Sequence, residues 1–395
     1  MARKRVRWGR VVAGVLAGIV LSLSVLACWT ALDNRSLPRH SRVVDRLAER
    51  EKALLSEALH LHRALGDSIW PGWAREDLPV VLYNERYAFL TGLPDPSTGW
   101  IKVPGDKVRG GPWEPVPDDS FEGAAYYRQA LPSPAENPEA FTVRIGDRWA
   151  ASLPTLDWFG ISLADRMRSG MPSALAAIFP YRLALRLLIG GSDGYLCLIQ
   201  HEAFHAHQGV AAPLRIASAE RAAAEVERAY PFGQAASEQA WKRELGLLAS
   251  CLGAPTREEA RALARRFLAA RQDRRDRLGL AAALTGCERQ REWLEGLAKY
   301  VELESWRRAA LTPGYRPLTA LKSDPGFKAY AGFRRRLSQE VGQIAWAKED
   351  TRFYYSGMAQ AMILDRLMPG WKCRAFVQDV WLEDLVAEAV RGPAS

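Results

Sequence analysis

The sequence contains no internal repeat and no low-complexity tract, which excludes solenoid arrays and linker-like segments. Beyond its first 39 residues it also lacks an excess of charge. Of the net +9, most belongs to Arg3, Lys4, Arg5, Arg7, Arg10, Arg35 and Arg39, set against Asp33 alone, so residues 40 to 395 carry 47 basic and 44 acidic side chains. No basic stripe with interleaved aromatics remains, and no nucleic-acid partner is expected. Cysteine numbers five and histidine six, and three of the six histidines fall in one stretch, LIQHEAFHAHQG, residues 198 to 209. With 48% of residues apolar and 25% charged, the composition is globular, and 395 residues suffice for two or three domains or for one large domain with insertions.

The N-terminal charge belongs to a pattern. Five basic residues precede an unbroken run, Val11 to Trp29, whose 19 residues match the length of a bilayer-spanning helix. Basic residues ahead of the run keep the N-terminus in the cytoplasm. Three readings of residues 1 to 39 compete: a retained transmembrane anchor, a cleaved signal peptide, and a lipoprotein signal modified at Cys28. Each places residue 40 onward outside the cytoplasm, in a bacterial periplasm or at the cell surface. Export permits disulfides, and Cys251 with Cys287 flank what reads as a helical hairpin that a bridge would staple; buried free thiols are the plainer alternative.

Residues 40 to 192 open with an amphipathic helix over Ser41 to Gly66 and continue as a β-rich block. There LPVVLYNERYAFL and AFTVRIGDRWAASL alternate as strands do. From residue 193 to the C-terminus the pattern is helical, broken at YPFG, LGAPT, TPGYRP, SDPG and MPGW. Thr256 and Glu259 form a capping box ahead of a long helix whose Arg-rich face reads most simply as solvated surface. The expected class is α+β, a sheet-rich region before a mainly helical, zincin-like one.

The stretch HEAFH carries the chemistry. At about 3.6 residues per turn His201 and His205 project from one side of a helix, so both imidazoles can meet one ion, while Glu202 lies about a quarter-turn round. Two neutral nitrogen ligands, an ion that lowers the pKa of its water, and a carboxylate to take the proton are what metal-assisted hydrolysis requires. His207 faces away and is expected behind the site or at the surface. Zinc needs a third protein ligand. The extended form HExxHxxGxxH would end in histidine at 211, where the chain has Ala211, so a carboxylate from a later helix remains, with Glu225 and Glu295 as candidates.

HEAFH together with EGLAKYVE, residues 295 to 302, resembles the gluzincin zinc metallopeptidases, the thermolysin and aminopeptidase-like group. The resemblance implies a hydrolase acting on peptides or proteins, with Zn2+ held by His201, His205 and Glu295, Glu202 as general base, and Glu225 as the alternative ligand at thermolysin-like spacing. It also implies that the phenol of Tyr354, in the Tyr-x-x-Gly segment ending at Gly357, donates to the oxyanion, with Tyr355 as the neighbouring alternative. Gly296 and Ala298 are expected to let the glutamate helix approach the histidine helix. Glu302 either holds a ligand histidine from behind or sits solvated. Likeness is confined to about 60 residues. The long interval after His205 implies inserted helices at about 210 to 291, and the absence of a G-x-M-E-N segment removes the group that grips a free amine in aminopeptidases. By analogy, AFTVRIGDRWAASL is expected as an edge strand that holds an extended peptide. Two other functions stay in view: an inactive zincin-like envelope scaffold that keeps zinc for stability, and a hydrolase of non-peptide amides such as a cell-wall component.

Overall fold

The computed structural model describes residues 2–131 and 143–391, and the chain adopts a mixed α+β fold. Helix α1 (Ala2–Arg35) is followed by α2 (Glu49–Ile69). The expected helix start at Ser41 is displaced to Glu49 because residues 41 to 47 are tied down by other partners. Ser41 donates from N and Oγ to Glu85, Asn84 Nδ2 donates to the Val44 carbonyl, and Leu47 N donates to the Tyr126 hydroxyl. Those contacts keep residues 41 to 47 irregular rather than helical.

Among the described residues eight strands form one sheet: β1 (Val80–Tyr83), β2 (Tyr87–Thr91), β3 (Trp100–Lys102), β4 (Val108–Arg109), β5 (Glu114–Pro115), β6 (Tyr127–Ala130), β7 (Val143–Ile145) and β8 (Arg148–Pro154). Their order is β4-β3-β7-β8-β1-β2-β6-β5. Among the described strands only β1 and β8 pair in parallel, with Val80 opposite Ala151 and Tyr83 opposite Pro154. LPVVLYNERYAFL becomes the β1–β2 hairpin, turned by Asn84, whose Oδ1 accepts from the N–H groups of Arg86 and Tyr87. The two-residue alternation is plain. Val80 and Leu82 join the main core, whereas Val81 and Tyr83 join a second cluster with Trp100, Val143 and Ile145 on the opposite face.

Helices then follow: α3 (Leu156–Ser169), α4 (Ser173–Ile178), α5 (Tyr181–Ile189), α6 (Gly191–Ala211), α7 (Pro213–Ala229), α8 (Ala235–Gly253), α9 (Arg257–Arg277), α10 (Ala282–Arg291), α11 (Leu297–Leu311), α12 (Phe333–Ile344), α13 (Thr351–Leu367) and α14 (Leu382–Arg391). The interval between His205 and Glu295 is thus filled by α7 to α10. Helix α6 is buried on nearly every side, packed between β8, α2 and α11, so one core runs through sheet and helices. Gly209 makes that fit possible, because a Cβ there would meet the Trp149 ring of β8 at 2.4 Å. Thr256 caps α9 by accepting from Glu259 N.

One expectation is corrected here, and of the two readings of the cysteines the plainer one stands. The Arg-rich face of α9 is not solvated: Arg271, Arg274 and Arg275 are buried, matched by Glu244 of α8, Glu288 of α10, Glu383 of α14 and Glu292. Arg271 Nη1 donates to Glu292 Oε2 and to Glu383 Oε2, both at 2.9 Å. Cys251 and Cys287 are free thiols, since Cys251 lies against Ala260 of α9 while Cys287 lies on α10, which packs on α7. Among the described residues one helix segment, Gly14–Arg35, is long and apolar enough to cross a membrane, and it is almost wholly unburied.

Removing one member of the buried ionic cluster leaves its partners charged and dry. Arg271→Met is expected to destabilise the fold by about 3–5 kcal/mol, read as a lower urea midpoint. An unchanged midpoint would mean that the cluster does not brace the helices.

Candidate metal centre

The site begins on α6. His201 and His205 stand one turn apart with rings nearly perpendicular, at 82°, and their Nε2 atoms are 3.2 Å apart. Glu295 Oε2 lies 3.5 Å from His201 Nε2 and 3.4 Å from His205 Nε2. Charge-assisted hydrogen bonds run shorter, about 2.7–2.9 Å. Ligand atoms about 2.0–2.1 Å from a tetrahedral ion, by contrast, stand roughly 3.3 Å from one another. The three observed separations bracket that value, so the donor set fits a divalent cation. Among the described residues this is the group of His, Cys, Asp or Glu side chains that converges in this way, and all three residues are buried.

Glu295 arrives through an irregular turn. Residues Glu292–Gly296 form a π-helical turn between α10 and α11. Such a turn frees carbonyls and rotates the side chains that follow, and it commonly marks a functional site. Gln208 takes up the freed carbonyls: its Nε2 donates to Trp293 O at 2.8 Å and Leu294 O at 3.2 Å, while its Oε1 lies 2.8 Å from His205 Nδ1. With Oε1 as acceptor, Nδ1 of His205 is the donor in that contact, and Nε2 is the nitrogen that faces His201 and Glu295. Gly296 crosses α13 at Gly357, where a Cβ on Gly296 would sit 2.4 Å from Gly357 Cα. The small residue therefore admits α13 rather than the histidine helix, a correction to the expected role of Gly296.

The charges are closely matched. Arg291 donates to the other oxygen, Glu295 Oε1, at 3.2 Å and to Asp350 at 2.6 Å. Burial alone would raise the Glu295 carboxyl, but His205, His201 and Arg291 hold it well below the usual range. Burial likewise works against a charged His201, yet Glu295 and Glu302, with Glu202 adding, push it up to about 10. Glu302 Oε2 lies 3.5 Å from His201 Nδ1, and its Oε1 pairs with Lys299 at 2.7 Å. Glu302 is therefore buried behind the histidine rather than solvated. Glu202 is 3% exposed, its Oε2 has no hydrogen-bond partner, and burial raises its carboxyl well above the ordinary value. Tyr354, half-buried on α13, stacks on His201 with centroids 6.3 Å apart and planes 15° apart. Burial and then the Glu295 charge raise its phenol, so it remains a donor.

The other candidates lie elsewhere. Glu225 is half exposed on α7 and pairs with Arg228, because the helix carries it to solvent. Tyr355 points away and donates to Glu340 at 2.8 Å. His207 is buried, not at the surface, with Nδ1 2.9 Å from Glu76. AFTVRIGDRWAASL forms β7 and β8, with residues 140 to 142 outside the described set. Both strands lie inside the sheet order, whose outer strands are β4 and β5, so the expected edge strand is not an edge. Sequence reasoning missed Gln208 and Arg291. The available signals were their spacings, three residues after His205 and four before Glu295. No protein-family model, curated protein or solved structure matches the chain.

Two outcomes follow for metal binding. Gln208→Leu should weaken zinc affinity about 10- to 100-fold in competition with a chromophoric chelator, with the far-UV spectrum unchanged. His201 in the metal-free protein is protonated well above neutrality, so zinc loading at pH 8 should displace about one proton, and affinity should fall as pH falls. Calorimetry in two buffers of different ionisation enthalpy measures that proton; identical heats would contradict it.

Proposed function

We propose that the protein is a zinc-dependent hydrolase of gluzincin type, probing peptide or protein substrates outside the cytoplasm from a membrane anchor formed by α1. The observation that carries this reading is Glu202: a buried carboxylate whose Oε2 has no hydrogen-bond partner, beside a converging His–His–Glu set. A purely structural ion has no need of such a group. Two imidazoles and one carboxylate are a common protein donor set for catalytic zinc, which keeps a further position open.

A zinc ion bound there supplies Lewis acidity, which polarises a carbonyl and makes water easier to deprotonate. His201, His205 and Glu295 hold it. As water adds to the carbonyl carbon, Glu202 accepts its proton at a carboxylate oxygen; as the C–N bond breaks, Glu202 returns that proton to the leaving nitrogen. The elevated proton affinity of Glu202 suits a group that must carry a proton between two steps. Tyr354 donates its phenolic hydrogen to the oxygen on which charge develops. Gln208 orients the His205 imidazole, Glu302 sets a negative charge behind His201, and Arg291 steadies the far oxygen of Glu295.

A second reading, a zinc-holding scaffold without turnover, is favoured by one observation: His201, Glu202 and His205 are 6%, 3% and 2% exposed, leaving little open path for a polypeptide. Hydrolysis of a quenched peptide library, with zinc measured in the same samples, separates the two. Glu202→Gln is expected to keep zinc and lose activity by at least about 10²-fold. Tyr354→Phe should lower kcat by about 10²–10³-fold, also with zinc retained. Zinc bound without turnover in the unmodified protein would favour the scaffold, and screening of amide substrates then tests the cell-wall alternative.

A further inference from the structure

Helices α4 and α5 carry apolar side chains that no part of the described chain covers. Leu175 and Ile178 of α4 are 48% and 42% exposed, and Leu183, Leu187 and Leu188 of α5 are 54%, 64% and 59% exposed. Leu183 and Leu187 are one turn apart and share a face, whereas Arg182 and Arg186 form a parallel row about a quarter-turn round. Residues 170 to 190 contain those two arginines and no acidic residue. An apolar arc bordered by cations is the make-up of a helix lying in a membrane interface.

The neighbouring α1 indicates what covers this face. Its C-terminal end is fastened to the pair: Asn34 Nδ2 donates to the carbonyls of Ala177 and Phe179, both at 2.9 Å, and Arg182 Nε lies 2.9 and 3.0 Å from the two Asp33 oxygens. A groove between them is lined by Val20, Leu23 and Leu26 of α1 and by Ile178 and Leu183. The exposed apolar surfaces of α1 and of α4–α5 are therefore continuous. Trp29, 63% exposed, stands just before the polar Asp33–Asn34 junction, where an interfacial tryptophan is expected. A bilayer that receives α1 meets α4–α5 at that level.

We infer that α4 and α5 form an interfacial pad resting on the membrane that α1 enters, with Leu183 and Leu187 among the acyl chains and Arg186 among acidic headgroups. This rests on the reading of α1 as a membrane anchor. It has a consequence for the substrate. Helix α6 starts at Gly191, immediately after the pad, and His201 lies ten residues on, no more than roughly 15 Å along the helix. The metal centre is held close to the membrane surface, which suits polypeptide segments near the bilayer.

The test uses the full chain in vesicles of phosphatidylethanolamine and phosphatidylglycerol. The exposed thiols are removed by Cys28→Ser and Cys373→Ser, and a fluorophore is attached through Leu183→Cys, Leu187→Cys, Val20→Cys or, as an exposed control on α9, Glu258→Cys. At 183 and 187 iodide quenching should be about fivefold weaker than at 258, and doxyl groups carried near the lipid headgroups should quench strongly. Iodide access at 183 and 187 equal to that at 258 overturns the pad. Shielding from iodide without doxyl quenching means that a second copy of the chain covers the face, and this also overturns it. Position 20 reports separately on the anchor: shielded there and open at 183 and 187, the pad fails and the anchor stands; open at all three, both fail.

Discussion

Glu295 is a full negative charge taken out of water, and the surrounding architecture must satisfy both of its oxygens. One faces the imidazoles of His201 and His205; the other is held by Arg291, which is itself balanced by Asp350. A carboxylate with only one side matched would be costly to bury. The arrangement explains why two histidines of a central helix, a glutamate from a distant one and an arginine one turn before it occupy a single dry pocket.

Delivering that carboxylate required a departure from regular helix. The π-helical turn at Glu292–Gly296 aims Glu295 at α6, and its loosened carbonyls are taken by Gln208, which also borders His205. At the same turn Glu292 is anchored by Arg271, Ser356 and Gln360, so the ionic cluster of α9 reaches to within three residues of Glu295. The backbone crossing of Gly296 and Gly357 brings α13 in, and with it the Tyr354 ring that stacks on His201. Stability and site geometry thus share the same few contacts. The long run of helices α7 to α10 is the frame that supplies them.

Parts of this were legible in the chain because they are local. The four-residue spacing of His201 and His205 puts them on one face of any helix. The alternation in LPVVLYNERYAFL yields a hairpin, and Thr256 caps α9 where its sequence pattern says it should. Other parts were misread, or left with two readings, because burial is not local. The arginines of α9 look solvated in sequence, since nothing nearby announces Glu244, Glu288, Glu292 and Glu383 as their partners. Glu225 and Glu295 sit in similar Ala- and Glu-containing helical text, yet only one faces inward. The segment AFTVRIGDRWAASL reads as strand, but whether a strand is an edge depends on its neighbours.

By itself the sequence determined the apolar length of α1, the order of sheet before helices, and the shared face of the two histidines, because each follows from periodicity or run length within one segment. Tertiary structure separated Glu295 from Glu225 and Tyr354 from Tyr355, choices that resemblance favoured and periodicity left open, and it alone decided which arginines leave water. Those outcomes depend on the crossing of elements far apart in the chain, and a glycine contact or a π-helical turn changes them without leaving a mark in any local pattern.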